Sequence, residues 1–138
     1  MQAPKAIFCD TSFFYAALIN TDADHIRAQK IAKSIARNKI ICYTTWDVVS
    51  ETLTLLMYRA GYLAACKFIE EILPEITIIE INQEIRNQAL QTFIKYNRDH
   101  RLSFCDCISY VVVTNMLDNI PCAAFDQDFE SLGLHILK

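Results

Sequence analysis

Two glycines and three prolines are spread over 138 residues, too few for a flexible or polyproline linker, and no repeat or low-complexity stretch interrupts the chain. A chain of this length holds one compact core of ordinary size and no second one, so a single domain over residues 1–138 with one functional site is expected. Long hydrophobic runs are also missing. The longest, such as Phe13 to Ile19 and Tyr110 to Val113, fall far short of the roughly 20 residues that cross a bilayer, so no membrane segment is expected. The N-terminal Met1-Gln2-Ala3-Pro4-Lys5 lacks the charged region and apolar stretch of a secretory leader, and a cytoplasmic protein is expected. Positive charge is in deficit: 13 Lys and Arg against 16 Asp and Glu give −3. That balance offers no overall footprint for a polyanion, and any such contact must be local.

The six cysteines form no disulfide or zinc pattern. Cys9, Cys42 and Cys122 lie inside apolar, strand-like runs, where a reduced thiol behaves as a small hydrophobe. Cys105 and Cys107 are separated by one residue and have no Cys-x-x-Cys or histidine partner nearby, so they read as packing rather than as zinc ligands. His25 reads as a surface residue, and Trp46, at a helix start, as a core or subunit contact.

What is present is an apolar fraction of 53%, ample for a core, arranged in alternating strand and helix patterns. Ala6 to Cys9 is a short apolar run ending in an acid, after which Thr11-Ser12 opens a helix over Phe13 to Ile19. Asp22 to Arg37 carries Ile26, Ile31 and Ile35 among charges, the mark of an amphipathic helix, and Ile40 to Tyr43 suits a second strand. Thr44 or Thr45 can cap the next helix, with Asp47 spaced for a capping box from Thr44. Gly61 interrupts that helix, and a second piece runs to Leu73, where Pro74 stops it. A third strand over Ile76 to Ile81, helices over Gln83 to Lys95 and Ser103 to Leu117, and a fourth strand over Pro121 to Phe125 follow. A helical turn over Asp126 to Ser131 and a last strand over Leu134 to Leu137 complete the pattern, with Gly133 suited to a left-handed position between them. Such alternation predicts an α/β fold: a central, mainly parallel sheet of four to five strands with helices on both faces.

Parallel α/β sheets bind ligands beyond the carboxyl ends of their strands, and four acids fall there. Asp10 ends the first strand and Asp126 follows the fourth. Glu51 lies less than two turns into the helix after the second strand, and Asp106 opens the helix that leads into the fourth. Each has a structural explanation of its own: Asp10 and Asp126 as helix N-caps, and Asp106 as the partner of Ser103 in a capping box favoured by the helix dipole. Glu51 fits such an explanation less well, because Val48, Glu51 and Leu55 share one helical face, which predicts a carboxylate among apolar neighbours at a cost of several kcal/mol. No lysine or arginine lies at these strand ends in sequence. Clustered carboxylates raise one another's pKa, a divalent cation relieves this, and hard oxygen ligands select Mg2+ or Mn2+ over zinc. Metal-assisted phosphodiester hydrolysis is the reaction such a site suits. Lys95, Arg98, His100 and Arg101 precede Asp106 and form either a phosphate-tracking loop or a solvated connection.

These residues resemble the PIN-domain family, in particular its VapC-like branch of toxin–antitoxin ribonucleases. The signature pieces are Phe8-Cys9-Asp10-Thr11-Ser12, Thr45-Trp46-Asp47-Val48-Val49-Ser50-Glu51, Leu102-Ser103-Phe104-Cys105-Asp106-Cys107, and Ala124-Phe125-Asp126-Gln127-Asp128-Phe129 followed by Gly133. Their order and spacing span the chain. The resemblance implies a Mg2+- or Mn2+-dependent endoribonuclease that cuts single-stranded or loop RNA. Asp10, Glu51, Asp106 and Asp126 would then be catalytic metal ligands, with Asp128 as a substitute for Asp126 and Thr11 or Ser12 supporting the first acid. It implies an RNA substrate and a small antitoxin partner, and leaves a homodimer open. The competing readings are a non-catalytic PIN-like module that binds RNA or a partner, which the full acid set disfavours, and a housekeeping RNA-processing nuclease. A phospho-acceptor receiver domain is excluded, since it needs an adjacent acid pair and a late strand-end lysine.

Overall fold

The computed structural model describes residues 2–137; Met1, part of the N-terminal stretch read above for export, and Lys138 lie outside the described residues. Strands β1 (Ala6–Cys9), β2 (Ile41–Thr44), β3 (Thr77–Ile78) and β4 (Cys122–Ala123) form one sheet in the order β3-β2-β1-β4. All three pairings are parallel, with Phe8 opposite Tyr43 on one side and opposite Cys122 on the other. Ile7, Phe8 and Cys9 are consecutive and fully buried. Successive strand residues point to opposite faces, so both faces of β1 are covered, as a parallel sheet requires. The last strand expected over Leu134 to Leu137 appears as a single parallel bridge between Cys122 and Ile136, so the sheet has the expected four strands and the trace of a fifth.

The helices are α1 (Thr11–Leu18), α2 (His25–Asn38), α3 (Trp46–Arg59), α4 (Tyr62–Lys67), α5 (Gln83–Tyr96), α6 (Phe104–Met116) and α7 (Gln127–Ser131). Several boundaries differ from expectation for local reasons. Helix α2 starts at His25 rather than Asp22 because the Asp22 carboxylate accepts from Asp24 N at 2.9 Å and holds a turn there. Thr45, not Thr44, caps α3 by accepting from Val48 N at 3.2 Å. Thr44 is committed to β2, where its hydroxyl donates to Cys9 O at 2.8 Å. The capping box from Thr44 to Asp47 therefore does not form, and Asp47 pairs with Arg86 at 3.3 Å instead. Gly61 starts α4 at φ 96, a conformation that only glycine adopts readily. Beyond α4 the chain widens into a π-turn over Phe68–Ile72, then tightens into a 3-10 turn over Leu73–Glu75 around Pro74, which has no N–H to continue an α ladder.

Strand β3 is shorter than the run Ile76 to Ile81 suggests. As an edge strand it has β2 as its one neighbour, and its last bond is Ile79 N to Thr44 O at 2.8 Å. Beyond that bond Ile81 packs on the core outside the strand. At the other edge Gly133 is left-handed at φ 85, as its place after α7 predicts. No helix among the described residues is long and apolar enough to cross a membrane.

Candidate active site

The carboxyl end of β1 is held from three sides. Asp10 N donates to Ala123 O at 3.1 Å, tying it to the end of β4. Thr44 fixes the preceding carbonyl of Cys9 from β2. The Asp10 Oδ2 atom caps α1 by accepting from Ser12 N at 3.2 Å and from Ser12 Oγ at 2.9 Å. Asp10 is thus the N-cap that its position allowed. Capping occupies only one carboxylate oxygen: Oδ1 is buried with no hydrogen-bond partner, an arrangement that costs a carboxylate heavily unless something positive meets it.

Asp106 comes from the first turn of α6, in the capping box expected from Ser103. Ser103 N donates to Asp106 Oδ2 at 3.1 Å, and Asp106 N donates to Ser103 Oγ at 3.0 Å. Its carboxylate is also buried. Asp126 caps the short α7 through Oδ1, which accepts from Asp128 N at 3.0 Å. Asp106, Asp126 and Asp128 each offer an oxygen within 4.8 Å of the others. Both candidates for the last acid therefore reach the same place.

Glu51 corrects its sequence reading. It is exposed, while the face of α3 turned to the core carries Val48, Val49, Thr52 and Leu56. That face is offset by one residue from Val48, Glu51 and Leu55, so the burial cost expected at Glu51 does not arise. Glu51 still stands close enough for its charge to raise the pKa of both Asp10 and Asp106. Trp46 is half exposed rather than core, with Nε1 donating to Glu80 at 3.2 Å. His25 is partly buried, its Nδ1 2.6 Å from Ala16 O.

The electrostatics follow from burial among like charges. Asp10 is pushed up to about 7, first by desolvation and then by Asp106, with Ser12 pulling against it. Desolvation pushes Asp106 up to about 6, assisted by Glu51 and Asp126 and opposed by Ser103. The Cys105 thiol, half-buried in the first turn of α6, is raised by burial and by the charges of Glu51, Asp10, Asp106 and Asp47, so these acids converge on one region. Among the described residues the ion pairs are Arg27–Asp24, Arg86–Asp47 and His100–Asp99. None of them neutralises Asp10, Glu51, Asp106, Asp126 or Asp128. The oxygens brought within 4.8 Å of one another are those of Asp106, Asp126 and Asp128, all hard donors that fit a hydrated divalent cation of the Mg2+ or Mn2+ kind. Asp10, with its unpaired Oδ1, and Glu51 are not in that trio and are linked to it by charge.

Two supporting residues escaped the sequence. Thr52 donates to Thr11 Oγ1 at 3.1 Å, and Thr11 donates to Val48 O at 3.4 Å, a buried hydroxyl chain binding the start of α1 to α3. Thr44 is the other. The spacing of Thr52 four residues after Val48 was the signal available for the first; the second had none. Ser12 does more than support Asp10: its Oγ also accepts from Phe125 N at 2.9 Å, joining Asp10 to the segment that carries Asp126. Lys95, Arg98 and Arg101 are exposed. Their loop is closed by Asn97, which bonds Leu102 N at 2.7 Å and Leu102 O at 3.0 Å just before the cap of α6.

A family model described as the PIN domain matches residues 7–134. The chain belongs to the PIN domain family. A VapC ribonuclease of Archaeoglobus fulgidus is 28% identical to this PIN domain over 127 residues, covering 90% of this chain and 79% of the relative. The solved structure of Mycobacterium tuberculosis VapC20, described as a sarcin–ricin loop cleaving toxin, superposes with a TM-score of 0.80 at 28% identity, covering 96% of this chain and 98% of that one. VapBC2 of Rickettsia felis, solved on a DNA fragment from its promoter, matches with a TM-score of 0.67 at 12% identity over 96% of this chain and 97% of that one. At that identity it bears on the fold alone. Family and sheet architecture agree with the expectation from the sequence.

Proposed function

We propose that this PIN domain is a divalent-cation-dependent endoribonuclease that cuts single-stranded or loop RNA as the toxin of a toxin–antitoxin pair. The observation that carries the reading is the buried, partnerless Oδ1 of Asp10 beside the charges of Asp106 and Glu51, acids that no lysine or arginine among the described residues neutralises. In this reading Asp10, Asp106 and Asp126 hold a Mg2+ or Mn2+ ion, with Asp128 able to replace or join Asp126. Glu51, exposed at the rim, holds the attacking water. When bound, the ion acidifies water and offsets charge developing on the phosphodiester. Ser12 keeps Asp10 in place, Thr11 ties the start of α1 to α3, and a bound cation would relieve the burial and like charge that raise the Asp10 pKa.

RNA as substrate is supported by the archaeal ribonuclease, aligned over 90% of this chain, and a loop within it by the mycobacterial toxin, which shares the fold. The same kinship supports a small antitoxin as partner. The exposed Lys95, Arg98 and Arg101, beside the start of α6, supply phosphate contacts that the net charge cannot. A cytoplasmic setting suits six cysteines that are all free.

The test is cleavage of a labelled RNA hairpin and a single-stranded RNA by the purified protein. Cleavage with Mg2+ or Mn2+ that stops in EDTA, and in Asp106→Asn with the fold intact by circular dichroism, is expected. Undiminished cleavage by Asp106→Asn, or no cleavage by wild type with either ion, overturns the reading.

A further inference from the structure

Sequence places no basic residue at the strand ends, yet the fold sets two arginines against aromatic rings, one of them on the residue before Asp126. The Arg27 guanidinium, from α2, lies over the Phe125 ring at 4.8 Å from its centroid. Phe125 directly precedes Asp126, and its N–H is bonded to the Ser12 hydroxyl that also holds Asp10. Arg27 therefore stacks on the residue that links the Ser12–Asp10 pair to Asp126. Its only hydrogen bond among the described residues runs from Nη1 to Asp24 at 3.2 Å, with the side chain 54% exposed. A guanidinium has five N–H donors, so most of the fork faces solvent.

On the α3 side an open groove is lined by Glu51, Thr54, Leu55, Tyr58 and Arg59. Arg59 follows Glu51 by eight residues, about 12 Å of helix rise, and its guanidinium sits 6.0 Å from the centroid of the Tyr15 ring of α1. Tyr58 is 90% exposed and lines the same groove. A planar cation laid on an aromatic ring has lost rotamer freedom in advance and keeps its edge for a phosphate. An exposed tyrosine beside it offers a base a stacking face.

We propose that the substrate strand crosses the acids between these two arginines, with Arg27 gripping a phosphate on the Asp126 side, Arg59 one on the Glu51 side, and Tyr58 stacking a base in the groove. The proposal rests on RNA cleavage as the function. It assigns the grip to residues far from Asp106 in sequence, beyond the loop of Lys95, Arg98 and Arg101.

The experiment measures steady-state cleavage of a single-stranded RNA with Mn2+, and filter binding of the same RNA with Ca2+ across a salt series. Variants are Arg27→Ala, Arg59→Ala, the double, Arg27→Lys and Tyr58→Ala. Each single arginine removal is expected to raise KM at least five-fold with kcat within two-fold, and to flatten the log Kd against log salt slope by about 0.7. Arg27→Lys, which keeps the charge but not the planar stack, should retain the slope and still raise KM. Tyr58→Ala should weaken binding with the slope unchanged. A double variant with wild-type KM and slope, while wild type cleaves and Asp106→Asn does not, overturns the proposal and leaves the function standing. A double variant that loses affinity for an oligo-glutamate peptide but not for RNA also overturns it, because the arginines then serve a protein partner. Wild type that neither binds nor cleaves RNA removes both.

Discussion

The Ser12 hydroxyl donates to Asp10 Oδ2 at 2.9 Å while accepting from Phe125 N at 2.9 Å. One small side chain thus joins the acid at the end of β1 to the segment leading from β4 into Asp126. Ser12→Ala leaves the Phe125 N–H without its acceptor and takes a donor from Asp10. Loss of such a partner costs about 1–3 kcal/mol, or about 4 °C in Tm for each kcal/mol in a chain of this size. Mn2+ affinity should fall about 10- to 100-fold, as for other groups that orient a metal-binding carboxylate. Ser12→Thr, which keeps the hydroxyl, should recover most of both. Calorimetry and thermal melts of the pair decide the matter, and a Ser12→Ala protein with wild-type affinity and Tm would show the bridge to be idle.

The buried acids give metal-free protein an unusual pH dependence. Asp10 rises from 3.8 to about 7 and Asp106 from 3.8 to about 6. Between about pH 4 and pH 7 the folded chain therefore holds protons that the unfolded chain has released. Stability changes with pH in proportion to the protons bound unfolded minus those bound folded, which is negative here. These groups make the protein less stable as pH rises through that window, the reverse of a salt-bridged carboxylate. In EDTA, Tm should fall from pH 5 to pH 8, and the fall should be smaller in Asp10→Asn, which has no charge to bury. Mn2+ should raise Tm more at pH 8 than at pH 5, since deprotonated ligands bind it. Equal slopes for wild type and Asp10→Asn in EDTA would remove Asp10 as the source.

Residues whose role coincides with an element boundary were readable without coordinates. Asp10 at a strand end, Ser103 and Asp106 in a capping box, and Asp126 ahead of a helical turn are all local signals, and each takes part in the helix cap its position allows. Glu51 misled because two faces of α3 have almost the same periodicity. The buried one includes Thr52, whose polarity hides it until its hydroxyl is seen to bond Thr11. Strand β3 was overextended because an isoleucine-rich run looks the same whether it pairs or merely packs, and pairing at an edge is set by where Thr44 O lies. Arg27, Arg59 and Arg86 could not be placed at all. They reach Phe125, Tyr15 and Asp47 across helix packing, and no spacing within the chain encodes that.

Asp126 and Asp128 both bring an oxygen within 4.8 Å of Asp106, but they are not equivalent. Asp126 is the more exposed and spends Oδ1 on the N–H of Asp128 as cap of α7, so it has a structural duty that asparagine can also perform. Asp128 is partly buried in the first turn of α7 and caps nothing. Replacing either by Asn removes one negative charge from the cluster while leaving α7 capped, whereas Asp126→Ala also removes the cap at about 1 kcal/mol. If the two share the cation, Asp126→Asn and Asp128→Asn should each weaken Mn2+ binding and RNA cleavage by about ten-fold, the size of a charge–charge contribution of about 1.4 kcal/mol. The double variant should then lose at least a hundred-fold while melting within a few degrees of wild type. Calorimetric Mn2+ titration of the three proteins, with cleavage measured at saturating Mn2+, separates affinity from turnover. Full loss in Asp126→Asn beside an unaffected Asp128→Asn would make Asp126 the sole fourth acid, and the opposite pattern would transfer that role to Asp128.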